Sequence, residues 1–103
     1  MRVGGGGARD RENLDDSEPE RQRVDKWLWH ARVVRTRELA AALASAGHVR
    51  VNGTKVGAPA APVRFGDVVT IALDRSVRIM RVRGFASRRG AAEEAQRLFE
   101  DLT

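Results

Sequence analysis

The chain has no cysteine, which excludes a disulfide framework and any thiolate metal site. Its two histidines, His30 and His48, are too few for a metal cage, so neither a metal nor a cofactor is expected. No apolar run approaches the roughly 20 residues that a membrane helix needs. The N-terminus lacks an apolar stretch behind its charged start, so it does not read as a secretory signal. A cytoplasmic location with no membrane partner is the resulting expectation. Also missing are a glycine-rich phosphate loop after a strand, a Ser/His/Asp set and a metal-binding cluster. Catalysis by this chain is therefore not expected.

What is present is a block of positive charge. Residues 1–20 carry three basic and six acidic side chains, a net of −3, and residues 90–103 are also −3. Between them, residues 21–89 carry 15 basic side chains against four acidic ones, Asp25, Glu38, Asp67 and Asp74, a net of +11. The overall +5 hides a strongly cationic middle. Such a block points to a polyanion, because neutralising phosphates releases condensed counterions. Thirteen of the 15 basic residues are arginine, which contacts phosphate bidentately and stacks on bases as lysine does not. Codon bias in a GC-rich genome explains part of that excess, but not the depletion of acids.

The 103 residues have room for one domain. Residues 1–20, with the Gly4–Gly7 run and almost no large apolar side chains, read as a disordered leader. From Asp25 to Arg35 the spacing is helical, with Val24, Trp27, Leu28, Ala31 and Val34 on one arc and Asp25 as N-cap. Thr36 is a natural N-cap for a second helix over Arg37–Ala46, whose apolar face is Leu39, Ala40, Ala42, Leu43 and Ala46, and Gly47 ends it. Two short helices with almost no linker fold against each other. The period then changes to two: His48–Val51 and Thr54–Val56 flank Asn52-Gly53, a strong hairpin-turn signal. Residues 57–62 form a loop, Phe65-Gly66-Asp67 a turn with Asp67 capping local amides. Strands follow over Val68–Leu73 and Val77–Arg83. In the latter the alternation slips at Ile79-Met80, which predicts a bulge or a strand buried on both faces. Residues 91–102 read as a closing helix with Ala92, Ala95, Leu98, Phe99 and Leu102 on one side. The fold class is α+β: a helix pair packed on a small antiparallel sheet, with a C-terminal helix.

The order Arg23-Val24-Asp25-Lys26, Thr36-Arg37, Gly47-His48-Val49-Arg50-Val51-Asn52-Gly53 and Gly66-Asp67 resembles the RNA-binding domain named after small-subunit ribosomal protein S-four, the alpha-L fold. More narrowly, Asp25-Lys26-Trp27-Leu28-Trp29, Ala31-Arg32 and Arg35-Thr36-Arg37 resemble the bacterial heat-shock protein 15 family, as does the tail Ser87–Ala95. Gly90 departs from that pattern, where proline is commoner, and the leader lies outside it. After the leader read over 1–20, the resemblance implies a 21–86 RNA-binding domain and an 87–103 C-terminal helical extension. It also implies a stress-related, ribosome-associated protein bound to large-subunit rRNA, with peptidyl-tRNA from stalled or aborted translation and a nascent-chain quality-control factor as further partners. The alternatives are a general structured-RNA or DNA-binding regulator, or an enzyme, since the same domain is attached to pseudouridine synthases, RNA methyltransferases and tyrosyl-tRNA synthetases. A monomer is expected.

The expected RNA contacts centre on the helix–helix corner: Arg23, Lys26, Arg32, Arg35, Thr36 and Arg37, with the amides at the start of helix two. The competing reading is a solvated face with Arg35 or Arg37 paired to Glu38 or Asp25. His48, Arg50, Asn52 and Lys55 on the hairpin, and Arg88 and Arg89 beside the last helix, extend the list. Trp29 is read as packing rather than base stacking, Trp27 as core, and His30 as an exposed helix residue.

Overall fold

The computed structural model describes residues 20–103; of the leader expected over residues 1–20, all but Glu20 lies outside them. A short strand, β1 (Arg21–Arg23), leads into α1 (Val24–His30) and α2 (Arg37–Ser45). Then come β2 (Val49–Val51), β3 (Thr54–Lys55), β4 (Pro62–Arg64), β5 (Val68–Ala72) and β6 (Val77–Val82). The chain closes with α3 (Ala92–Ala95), a 3-10 turn (Gln96–Leu98) and β7 (Phe99–Asp101). Strands β3-β2-β5-β6-β7 form one antiparallel sheet, and β1 pairs antiparallel with β4 in a separate ribbon.

The expected core of α1 is present: Val24, Trp27, Leu28, Ala31 and Val34 are all buried. They meet Val49, Val69, Ile71, Met80 and Val82 from the inner face of the sheet. The Trp27 indole N–H donates to Gly84 O at 3.0 Å, which satisfies the one polar group that a buried tryptophan carries.

The first helix is shorter than its apolar spacing predicts. Arg32 adopts φ 59°, the left-handed region. Its N–H donates to Trp29 O (3.1 Å) and that of Val33 to Leu28 O (3.0 Å). That pair of bonds is a Schellman ending, here built on arginine instead of the usual glycine. Helix α2 ends the same way at Gly47, φ 85°, with Gly47 N–H on Ala44 O and His48 N–H on Leu43 O. Thr36 is its N-cap as expected, its Oγ1 accepting from the Leu39 N–H at 3.0 Å. The buried face of α2 is rotated from the expected one. Ala40 and Ala44 are buried, whereas Leu39, Ala42 and Ala46 are exposed. Small side chains let two helices approach closely, so the alanines take the crossing and the leucines are displaced to its flank.

Two further expectations are corrected at the C-terminal end. Strand β6 pairs with β5 without interruption from Val77 to Arg81, so there is no bulge at Ile79-Met80; Ile79 is half-buried on the outer face. The closing helix is only four residues long, followed by one 3-10 turn. Phe99, with φ −150° and ψ 158°, leaves helical geometry and pairs opposite Val82. The added strand satisfies backbone groups of β6 that would otherwise form a bare sheet edge, a reward that a third turn of helix does not offer.

Candidate nucleic-acid interface

The corner between the two helices is organised by a carboxylate. Asp25 was expected as the N-cap of α1, but the cap lies two residues earlier, at Arg23, whose side chain makes no capping bond. Its first amides are satisfied by the 57–62 loop instead: Val24 N–H donates to Ala61 O at 2.8 Å and Asp25 N–H to Pro59 O at 3.2 Å. This leaves the Asp25 side chain, 2% exposed, to hold cations. Arg23 donates to both its oxygens, Nε to Oδ1 (3.1 Å) and Nη2 to Oδ2 (3.0 Å). Arg37 Nε lies 3.8 Å from Oδ2, and the Lys26 N–H donates to Oδ1 at 2.7 Å.

The bidentate fork fixes the plane of the Arg23 guanidinium, and both arginines remain roughly half exposed. The Asp25–Arg37 pairing of the competing reading is thus present, together with an exposed cationic face. A shallow depression lined by Arg23, Asp25, Arg37, Glu38 and Ala41 marks the corner. The N-terminal amides of the nine-residue α2 contribute partial positive charge there. Lys26 is half-buried and Arg35 exposed on the same helix–turn segment.

The remaining expected contacts are distributed differently. Arg32 is not on a helix face; from its left-handed position it donates Nε–H to Gly90 O at 3.0 Å. Arg89 donates to Trp29 O (3.1 Å) and Val34 O (3.5 Å), and its guanidinium lies 5.8 Å from the Trp29 ring centroid. Arg32 and Arg89 thus tie the tail to the end of α1, while Arg88 is exposed. Trp29 is half-buried against the core, in keeping with its packing assignment.

His48, Arg50, Asn52 and Lys55 gather at the other end of α2, about 14 Å from the corner for nine helical residues at 1.5 Å each. Both polar atoms of the Asn52 side chain are engaged: Nδ2 donates to Asp67 Oδ1 (3.0 Å), and Oδ1 accepts the Val68 N–H (2.9 Å). Asp67 Oδ2 accepts the Arg64 N–H at 2.8 Å, the turn role expected of it. Arg50 donates Nη1–H to Gly53 O at 3.3 Å.

His30, expected at the surface, is 1% exposed. Its Nδ1 has no hydrogen-bond partner among the described residues. Burial, reinforced by Lys26, Arg37 and Arg89, holds its pKa below the ordinary 6.5, against the Ala86 carbonyl, which raises it. The sequence reading also passed over Arg21, Arg64, Phe65 and Arg83, which are exposed. Their only signal was the surplus of arginine at alternating positions.

A family model described as the S4 domain matches residues 22–69. Heat shock protein 15 of Escherichia coli strain K12 is 34% identical over 79 residues, 77% of this chain and 59% of that protein. The heat shock protein 15 homolog of Aeromonas salmonicida is 35% identical over 79 residues, with the same shares. The chain therefore spans 59% of the length of these curated relatives. Among solved structures, the trimeric heat shock protein 15 of Vibrio cholerae is similar at TM-score 0.74 and 33% identity, over 80% of this chain and 82% of that one.

Proposed function

We propose, from the premise that this chain belongs to the heat shock protein 15 family of S4-domain proteins, that it binds structured RNA of the large ribosomal subunit and works without catalysis of its own. The observation that carries this reading is the corner at Asp25: a buried carboxylate that orients two half-exposed arginines beside the N-terminus of α2. A-form RNA presents phosphates and 2′-hydroxyls rather than a readable major groove. A rigid guanidinium corner suits that shape better than a flexible charged tail does. Arg23, Lys26, Arg35, Thr36 and Arg37 form the primary contact in this reading. His48, Arg50 and Lys55 form a second patch at the far end of α2, and Arg88 extends the first. Arg32 and Arg89 contribute charge while holding residues 87–103 onto the 21–86 domain. The occupied state we favour is a large subunit that retains peptidyl-tRNA after stalled translation, with the protein acting in rescue or nascent-chain quality control.

Two measurements test it. Arg37→Ala should weaken binding to large-subunit rRNA fragments and lower the slope of log affinity against log salt by about one; an unchanged slope would remove the corner from the phosphate site. The protein should also co-sediment with large subunits, most strongly with those carrying peptidyl-tRNA. Equal binding to duplex DNA and rRNA, with no sedimentation on subunits, would favour a general nucleic-acid regulator.

A further inference from the structure

The β1–β4 ribbon carries a feature that the helix corner does not account for. In β1 the burial alternates, placing Arg21 and Arg23 on the exposed face with Gln22 turned inward. In β4 the outward residues are Pro62 and Arg64, with Val63 fully buried between them. The register sets Arg21 opposite Arg64 and Arg23 opposite Pro62. Directly opposed residues of an antiparallel pair project to the same side, so Arg23, Arg21 and Arg64 form a file along one face. Two residues of strand advance about 6.6 Å, so the file leads stepwise away from the corner, where Asp25 holds Arg23.

At the far end of this file stands Phe65, 65% exposed and the most exposed large apolar side chain described. The Gly66 N–H donates to Val82 O at 2.8 Å and the Val82 N–H to Asp67 O at 2.8 Å. These bonds pin the Phe65 turn against the end of β6. Arg83, the next residue along, places its guanidinium 5.9 Å from the Phe65 ring centroid. Glu100 Oε1 accepts from Arg83 Nη1 at 3.4 Å. A largely exposed aromatic ring with an arginine over it and a cationic file leading to it is the arrangement that single-stranded nucleic acids use. Their bases stack on aromatic rings while their phosphates follow basic side chains.

We infer that the ribbon and Phe65 form a further RNA site, in which Arg21 and Arg64 follow the backbone of a single-stranded segment leaving the helix corner and one of its bases stacks on Phe65 beside Arg83. The site rests on the RNA-binding reading above and extends it: the corner takes the structured part of the RNA, and the ribbon takes an unpaired strand joined to it.

The test compares the full chain with Phe65→Ala, Phe65→Trp and Arg64→Ala. Fluorescence anisotropy would be read against a labelled single-stranded RNA oligonucleotide and a blunt RNA duplex of equal length, across a salt series. Phe65→Ala should lower single-strand affinity on the order of tenfold, the scale of one base stacked on an aromatic ring. Its salt slope and its affinity for the duplex should stay as in the wild type, and Phe65→Trp should restore the loss. Arg64→Ala should lower the single-strand slope by about one. Because the Phe65 side chain lies outside the core, thermal melting of Phe65→Ala should match the wild type. Equal single-strand affinity of Phe65→Ala and the wild type would overturn the inference while leaving the corner intact. A wild type that binds neither RNA would overturn the corner reading and this site together.

Discussion

Asp25 shows why a carboxylate in a phosphate-binding corner need not oppose binding. It trades one negative charge for the Arg23 guanidinium, fixed by two hydrogen bonds, and the Arg37 guanidinium, drawn to within 3.8 Å. Ordering a long, rotamer-rich side chain costs about 0.5–1.5 kcal/mol at an interface, and the carboxylate meets part of that cost before RNA arrives. Asp25→Asn should therefore weaken RNA binding several-fold, although it removes a negative charge. Filter binding at two salt concentrations, with melting curves to normalise for stability, reads this directly. Tighter binding by the variant would show the carboxylate to be merely a repulsive charge. None of this was legible in the sequence, where Asp25 before an apolar run reads as an N-cap. The carbonyls of Pro59 and Ala61 took over that task, and their arrival 34 or more positions later leaves no local trace. His30 escaped for a related reason. Its place on the wheel is set by α1 alone, whereas its burial depends on the segment around Ala86 and Arg89 packing over it.

At the level of elements, the clearest signals were those written in a few adjacent residues. Thr36, Gly47 and Asn52-Gly53 marked a cap, a stop and a turn, and all three stand where expected. The failures fell where a longer-range contact overrode local preference. Arg32 ends α1 in a left-handed conformation that arginine rarely adopts, and Phe99 leaves a helix to complete a sheet. The hairpin turn carries a prediction of its own. Asn52 sits at φ 53°, and its side chain bridges the Asp67 turn to the start of β5. Asn52→Ala loses both bonds and the residue type that tolerates this conformation, and should cost about 1–3 kcal/mol of unfolding free energy. Urea titration measures it. A cost within about 0.5 kcal/mol, as at an ordinary surface position, would show that the bridge contributes little.

For the molecule as a whole, the buried imidazole makes stability depend on pH. In the folded protein the His30 pKa lies below its ordinary 6.5, first through burial and then through Lys26, Arg37 and Arg89. As pH falls below 6.5, the unfolded chain takes up this proton before the folded one does, so unfolding is favoured. The contribution is fully present above the ordinary value and is lost progressively below it. Denaturation midpoints should therefore fall between pH 7.5 and pH 5.5, before most carboxylates titrate, and His30→Gln should flatten that dependence. An equal slope in the variant would assign the effect to other groups. The same architecture sets an order of events during synthesis. Residues 21–37 carry the corner and are translated early, yet their shape is imposed by partners made much later. Arg21–Arg23 pair with Pro62–Arg64, Trp27 bonds to Gly84, Gln22 to Ala86 and Arg32 to Gly90. Such distant contacts form only after the intervening chain is available. A nascent copy emerging beside ribosomal RNA thus exposes its arginines on a shapeless segment, and gains a specific grip only when residues 84–90 have also left the exit tunnel.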